Sequence, residues 1–201
     1  MDKLILYTQR VEVVSGYNER RDCADQQIAA FLIACGLIPV PVNNLLECAE
    51  ELIACLHPAG ILFTGGNDLA KYGGNAPERD QMERILLEYA LQEDIPLLGF
   101  CRGMQFIADY FGSELAPVKN HVGCRHAVTG KLPHKRTNSF HNWGLTRVPE
   151  EFCLLMESED EGIEAIRHMR RSIMGIMWHP EREKPFEQDD IRLFSNFFGV
   201  I

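Results

Sequence analysis

The chain has 201 residues, 46% hydrophobic and 24% charged, with a formal net charge of −9. That composition fits a globular protein with one well-buried core, expected as a single domain over residues 1–201. It excludes a membrane-spanning protein, because no apolar run approaches the required length, and the acidic balance argues against nucleic acid as a partner.

Leu4–Tyr7 reads as a buried strand, too short to be a signal peptide. Asp25–Cys35 follows as a helix closed by Gly36, then Ile38–Val42 as a strand and Glu47–Leu56 as a helix. Gly60–Phe63 is a short apolar strand running into Thr64-Gly65-Gly66. Pro77–Glu93 is a long helix with proline in its first turn, on which Glu83 and Glu88 are expected to be solvated. Leu97–Phe100 is again a strand, and Arg102–Phe111 a helix stopped at Gly112. Beyond it, Arg125–Thr129 and Gly162–Met169 look like shorter β segments, and Ser172–Trp178 like one more apolar strand. The alternation predicts an α/β fold: a mostly parallel central sheet flanked by helices on both faces, with a small antiparallel β extension. Ligands in such sheets bind at the carboxyl ends of the strands, where Gly65-Gly66, Cys101 and His179 all fall.

The chemistry concentrates at Gly99-Phe100-Cys101-Arg102-Gly103. A strand runs into a cysteine and then into a helix, with a glycine two residues to either side, which is the pattern of a nucleophile elbow. A thiol at a helix N-terminus feels the positive end of the backbone dipole, which favours the nucleophilic thiolate. A cysteine nucleophile needs a base, and the base needs an acceptor to fix its tautomer. Trp178-His179-Pro180-Glu181 supplies both, with His179 leaving a strand end and Glu181 two residues on. The competing reading of Cys101 is a buried structural thiol. The seven cysteines show no paired CxxC spacing, which fits reduced, mostly core thiols and a cytoplasmic protein.

Taken together, Gly99-Phe100-Cys101-Arg102-Gly103-Met104-Gln105, Trp178-His179-Pro180-Glu181 and Phe63-Thr64-Gly65-Gly66 resemble the class I glutamine amidotransferase superfamily over nearly the whole chain. Arg20-Arg21-Asp22-Cys23-Ala24-Asp25-Gln26 and Asn138-Ser139-Phe140-His141-Asn142 are similar to its free-standing γ-glutamyl hydrolase branch, which includes γ-glutamyl-γ-aminobutyrate hydrolases. One departure stands out: that branch often continues as Phe-His-His-Gln, where this chain has Phe140-His141-Asn142-Trp143. The resemblance implies a flavodoxin-like fold, a Cys101–His179–Glu181 triad and an oxyanion hole from the backbone N–H groups of Gly66 and Arg102. It also implies substrate contacts at Gly65, Gln105, Ser139, Phe140 and His141, a γ-glutamyl thioester intermediate and no cofactor. The implied partner is a small γ-glutamyl amide, and a homodimer is compatible with it.

Between Leu115 and Pro149 there is no Asp or Glu, while Lys119, Arg125, Lys131, Lys135, Arg136 and Arg147 are cationic. A cationic wall beside the γ-glutamyl pocket suggests an anionic distal part on the substrate, such as a phosphate or nucleotide diphosphate. The expected anion-binding residues are Arg125, Lys135 and Arg136, joined by Arg10, Arg20 and Arg21 on the loop after the first strand. The chain is similar in this to a hydrolase branch that acts on γ-glutamyl-CDP-amidate in surface-polysaccharide phosphoramidate pathways. The plainer reading is a solvated face. His121, Cys124, His126 and His134 match no tight zinc spacing and read as loop residues, so no metal is expected. Trp143 and Trp178 read as packing residues.

Two other functions stay open at this level. A glutaminase component delivering ammonia to a synthase would turn over free glutamine and respond to its partner. A catalytically dead sensor of γ-glutamyl metabolites would have no chemical need for His179 and Glu181.

Overall fold

The computed structural model describes residues 3–200. Its first half runs β1 (Lys3–Thr8), β2 (Arg10–Val14), β3 (Glu19–Cys23), α1 (Gln26–Ala34), β4 (Leu37–Val42), α2 (Ala49–Leu56), β5 (Gly60–Phe63), α3 (Pro77–Glu93), β6 (Leu97–Phe100) and α4 (Arg102–Tyr110). The second half runs β7 (Leu115–Pro117), β8 (Val122–Gly130), β9 (Arg136–Phe140), β10 (Trp143–Leu145), β11 (Phe152–Ser158), β12 (Ile163–His168), β13 (Ile173–Ile176) and α5 (Gln188–Phe197).

Nine strands form one sheet in the order β4-β1-β5-β6-β13-β12-β11-β8-β9. The first five are mutually parallel, because helical crossovers connect most of them. The next four pair antiparallel, so the fold is the expected α/β sheet. The antiparallel extension is larger than expected, four strands hydrogen-bonded onto the edge of the parallel part.

Side chains alternate across the pleat. Ile61, Phe63 and Leu97 join one apolar cluster with Met82 and Leu86 of α3 and Met104 and Ile107 of α4. Leu62, Leu98 and Phe100 join the other with Phe31 of α1 and Phe194 of α5, whose rings meet edge to face at 4.8 Å. Burial on both faces explains why these strands read as continuous apolar runs. Asp25 caps α1 by accepting from Gln27 N at 2.9 Å.

Three expectations change. The stretch holding Arg10, Arg20 and Arg21 is not a loop but an antiparallel hairpin, β2 against β3; its second strand is charged and exposed, so it shows no apolar alternation to read. The helix α5 has no counterpart in the sequence reading. Of the six described free thiols only Cys35 and Cys101 are buried, and the side chain of Cys48 lies outside the described part. No described helix is long and apolar enough to cross a membrane.

Candidate active site

β5, β6 and β13 are adjacent, parallel and in register, with Phe63 opposite Gly99 and Phe100 opposite Ile176. Their carboxyl ends therefore deliver Thr64-Gly65-Gly66, Cys101 and Trp178-His179 side by side.

Cys101 caps α4 with φ 51° and ψ −112°, a conformation a non-glycine residue adopts only under constraint. Its N–H donates to Ile176 O at 2.8 Å and its carbonyl accepts from Gln105 N at 3.1 Å, so strand and helix hold it from both sides. The flanking glycines are steric necessities. A Cβ on Gly99 would lie 2.5 Å from the Gly103 carbonyl carbon, and one on Gly103 would overlap the Phe63 carbonyl. Cys101 thus occupies the elbow that the glycine spacing predicts.

His179 is buried, with Nδ1 2.7 Å from Glu181 Oε1. Asn138 clamps its backbone, Oδ1 accepting from His179 N at 2.8 Å and Nδ2 donating to His179 O at 2.8 Å. Phe100 and Phe140 meet the imidazole edge-on at 5.4 and 5.6 Å. A Cβ on Gly65 would stand 2.7 Å from His179 Cε1, so that glycine leaves the ring its room. Burial disfavours the charged imidazole, but a negative Cys101 sulfur and the Glu181 carboxylate outweigh it and push His179 up to about 9.

Behind the Gly65-Gly66 loop lies a buried ion network that the sequence reading missed. Arg79 Nη2 donates to Thr64 O at 2.7 Å, and Nη1 donates to Gly65 O at 3.1 Å and to Gly66 O. Arg79 also pairs with Glu83 at 3.1 Å, and Glu83 and Asp80 both pair with the Arg102 guanidinium. Glu83 is therefore fully buried, against the expectation that it is solvated; it also accepts from Thr8 Oγ1 at 2.8 Å. Glu88 is exposed as expected. The available signal was the Arg79/Glu83 spacing of four on a helix, which reads equally well as a surface pair.

Known proteins resemble this chain along most of its length. The family described as glutamine amidotransferase class-I matches residues 22–200. The chain belongs to the class I glutamine amidotransferase family. A γ-glutamyl-CDP-amidate hydrolase of Campylobacter jejuni is 34% identical over 201 residues, covering 96% of each chain. A glutamine-hydrolysing GMP synthase subunit of Methanococcoides burtonii is 32% identical over 154 residues, 71% of this chain and 74% of its own. Among solved structures, a Thermoplasma acidophilum protein assigned as a GMP synthase subunit superposes with a TM-score of 0.73 at 22% identity, covering 100% of this chain and 94% of its own, which shows the shared fold.

In this amidotransferase chain two clefts meet at Gly66. One, about 220 Å³, is lined by Gly66, Asn67, Cys101, Arg102, Gln105, Phe140 and His141. The other, about 40 Å³, is lined by His179 itself together with Arg10, Asp25, Gly65, Glu181 and Arg182. Gln105, Phe140 and His141 thus reach the Cys101 cleft as expected. Ser139 does not: it is fully buried and its hydroxyl donates to His121 O at 2.7 Å.

The expected anion-binding residues mostly meet acids of the same protein. Arg20 pairs with Glu78, Arg21 with Glu19, and Arg125 with Glu183 at 2.7 Å. Arg136 donates to Arg125 O at 3.3 Å, and Lys135 lines neither cleft. Arg10 alone of the six lines the His179 cleft, although it too pairs with Glu12. Arg182, absent from the sequence reading, stands beside it with its guanidinium 4.2 Å from the Phe140 ring centre. Trp178 is a packing residue as expected, its Nε1 donating to Asp190 at 2.9 Å.

The histidines of the acid-free stretch are not solvated loop side chains. His134 Nε2 lies 2.8 Å from an Asp190 carboxylate oxygen, and His121, His126 and His141 are buried together with Glu164.

Proposed function

We propose that this chain hydrolyses a γ-glutamyl amide bond through Cys101, releasing L-glutamate and an amine whose distal part is anionic, as in γ-glutamyl-CDP-amidate. The observation that carries the reading is the convergence of three neighbouring strand ends on Cys101, His179 and Gly66, with Glu181 2.7 Å from the imidazole. The Cys101 sulfur attacks the γ-carbonyl carbon, and the C=O electron pair moves onto oxygen. The N–H groups of Gly66 and Arg102 receive that oxyanion, each contributing roughly 3 kcal/mol to the barrier reduction. As the intermediate collapses the C–N bond breaks, and protonated His179 gives its proton to the leaving nitrogen. His179 then takes a proton from water, whose oxygen attacks the thioester carbon and expels the Cys101 sulfur as glutamate forms.

The glutamyl unit occupies the cleft of Gln105, Phe140 and His141, and the distal part extends past Gly66 toward Arg10 and Arg182. The whole chain acts as one hydrolase domain, alone or as a homodimer. Free thiols at Cys23, Cys35, Cys55, Cys101, Cys124 and Cys153 support a reducing compartment, the cytoplasm.

Comparison of kcat/KM for glutamine, γ-glutamyl-γ-aminobutyrate and γ-glutamyl-CDP-amidate tests the reading. The nucleotide amidate is expected to lead by at least tenfold. Preference for glutamine, raised further by a synthase partner, would instead place the chain with glutamine-hydrolysing synthase components such as the Methanococcoides burtonii relative.

A further inference from the structure

His121 precedes β8, His126 lies on β8, His141 follows β9 and Glu164 lies on β12, yet one donor atom from each falls within 4.8 Å of the other three. All four residues are buried. Glu164 is 1% exposed, and neither of its carboxylate oxygens has a hydrogen-bond partner among the described residues. A carboxylate buried this way keeps its charge only where a cation faces it.

Two of the three imidazoles, those of His121 and His141, are oriented as metal ligands. His141 Nδ1 lies 2.9 Å from Trp143 O, a pure acceptor, so that nitrogen carries the proton. His121 Nε2 lies 2.8 Å from Asp160 Oδ2 and is the donor there. The remaining nitrogens, His121 Nδ1 and His141 Nε2, face each other at 3.3 Å, and Glu164 Oε1 stands 3.9 Å from the latter. Two lone pairs at that distance require a cation. Nitrogens bound at about 2.0–2.1 Å to a tetrahedral zinc lie about 3.3–3.4 Å apart, the separation found here. A proton would join only two of the four groups, whereas a metal ion accounts for all of them. The carboxylate and carbonyl behind the two histidines are the outer partners that fix such ligands.

We propose that His121, His126, His141 and Glu164 hold one divalent cation of the zinc class, beside the Cys101 cleft and sharing His141 with its wall. The three-imidazole, one-carboxylate set suits zinc rather than calcium or magnesium, which prefer oxygen donors. Trp143 O accepts from Gln105 Nε2 at 2.8 Å as well as from His141, so the ion braces the 141–143 segment that walls the glutamyl cleft.

Metal content after zinc loading and desalting tests the assignment, measured on wild type, Cys101→Ala, His126→Ala and Glu164→Gln. Wild type and Cys101→Ala are expected to retain about one ion per chain, and both site variants to lose it. Cobalt substitution in wild type is expected to give tetrahedral d–d absorption without thiolate charge transfer, a readout independent of whether the variants fold; a thiolate band would place the ion on cysteine and overturn the site. Retention of less than about a tenth of an ion by folded wild type would assign the cluster to proton-bridged histidines. Equal retention by the site variants would place the ion elsewhere.

Discussion

The Arg79 guanidinium holds the Gly65 carbonyl at 3.1 Å. In a planar trans peptide the C=O and the following N–H point in opposite directions, so this contact turns the Gly66 N–H away from Arg79. Gly66 and Cys101 line the same cleft, which is where an oxyanion donor is needed. In the proposed mechanism Arg79 is therefore a positioning residue for the oxyanion donor. Arg79→Lys keeps a charge near Glu83 but cannot span three carbonyls, and kcat is expected to fall about ten- to a hundredfold with KM little changed. Wild-type kcat combined with a lowered Tm would reduce Arg79 to a stability role.

Cys101→Ala is expected to abolish turnover while still binding substrate by calorimetry. His179→Ala should lose at least about a thousandfold in kcat. Glu181→Gln should lose only about ten- to a hundredfold, because an orienting acceptor contributes less than the base it orients. Equal losses in the two last variants would contradict the assigned roles.

His179 titrates at about 9 rather than its ordinary 6.5, burial opposing the shift and Cys101 and then Glu181 driving it. A raised folded value means a stabilising contribution that is fully present below about 6.5 and is lost as pH rises through about 9. The kcat/KM profile should therefore fall on an alkaline limb near 9. In Cys101→Ala the partner charge is gone while burial remains, so the His179 midpoint followed by NMR should drop. An unchanged midpoint would remove Cys101 as the cause.

Charge removal by Arg10→Gln or Arg182→Gln should raise KM for γ-glutamyl-CDP-amidate about tenfold and leave KM for glutamine nearly unchanged. Arg125→Gln serves as the control, since Arg125 lines neither cleft. Equal effects of Arg10→Gln on both substrates would remove Arg10 from the distal subsite.

Much of the fold and of the candidate triad was legible in the chain itself. Gly60–Phe63, Pro77–Glu93 and Leu97–Phe100 have the same bounds in sequence and structure, because doubly buried strands and a proline-started helix announce themselves locally. The hairpin β2–β3 and the burial of Glu83 did not, since charged residues carry no apolar period and an Arg79/Glu83 pair looks the same inside or outside.

The sequence by itself determined the elbow at Cys101, the pairing of His179 with Glu181, and the glycine pair after β5, each a feature written within a few residues of chain. Only the tertiary structure decided the electrostatics around them. The stretch from Leu115 to Pro149 has no acid of its own, yet Glu183, Asp160 and Asp190 fold onto Arg125, His121 and His134, so acids distant in the chain meet part of a segment that reads as acid-free. Histidines too scattered for a zinc spacing meet Glu164 in one buried cluster. Contacts between distant strands depend on sheet order, and residue spacing along the chain does not encode that order.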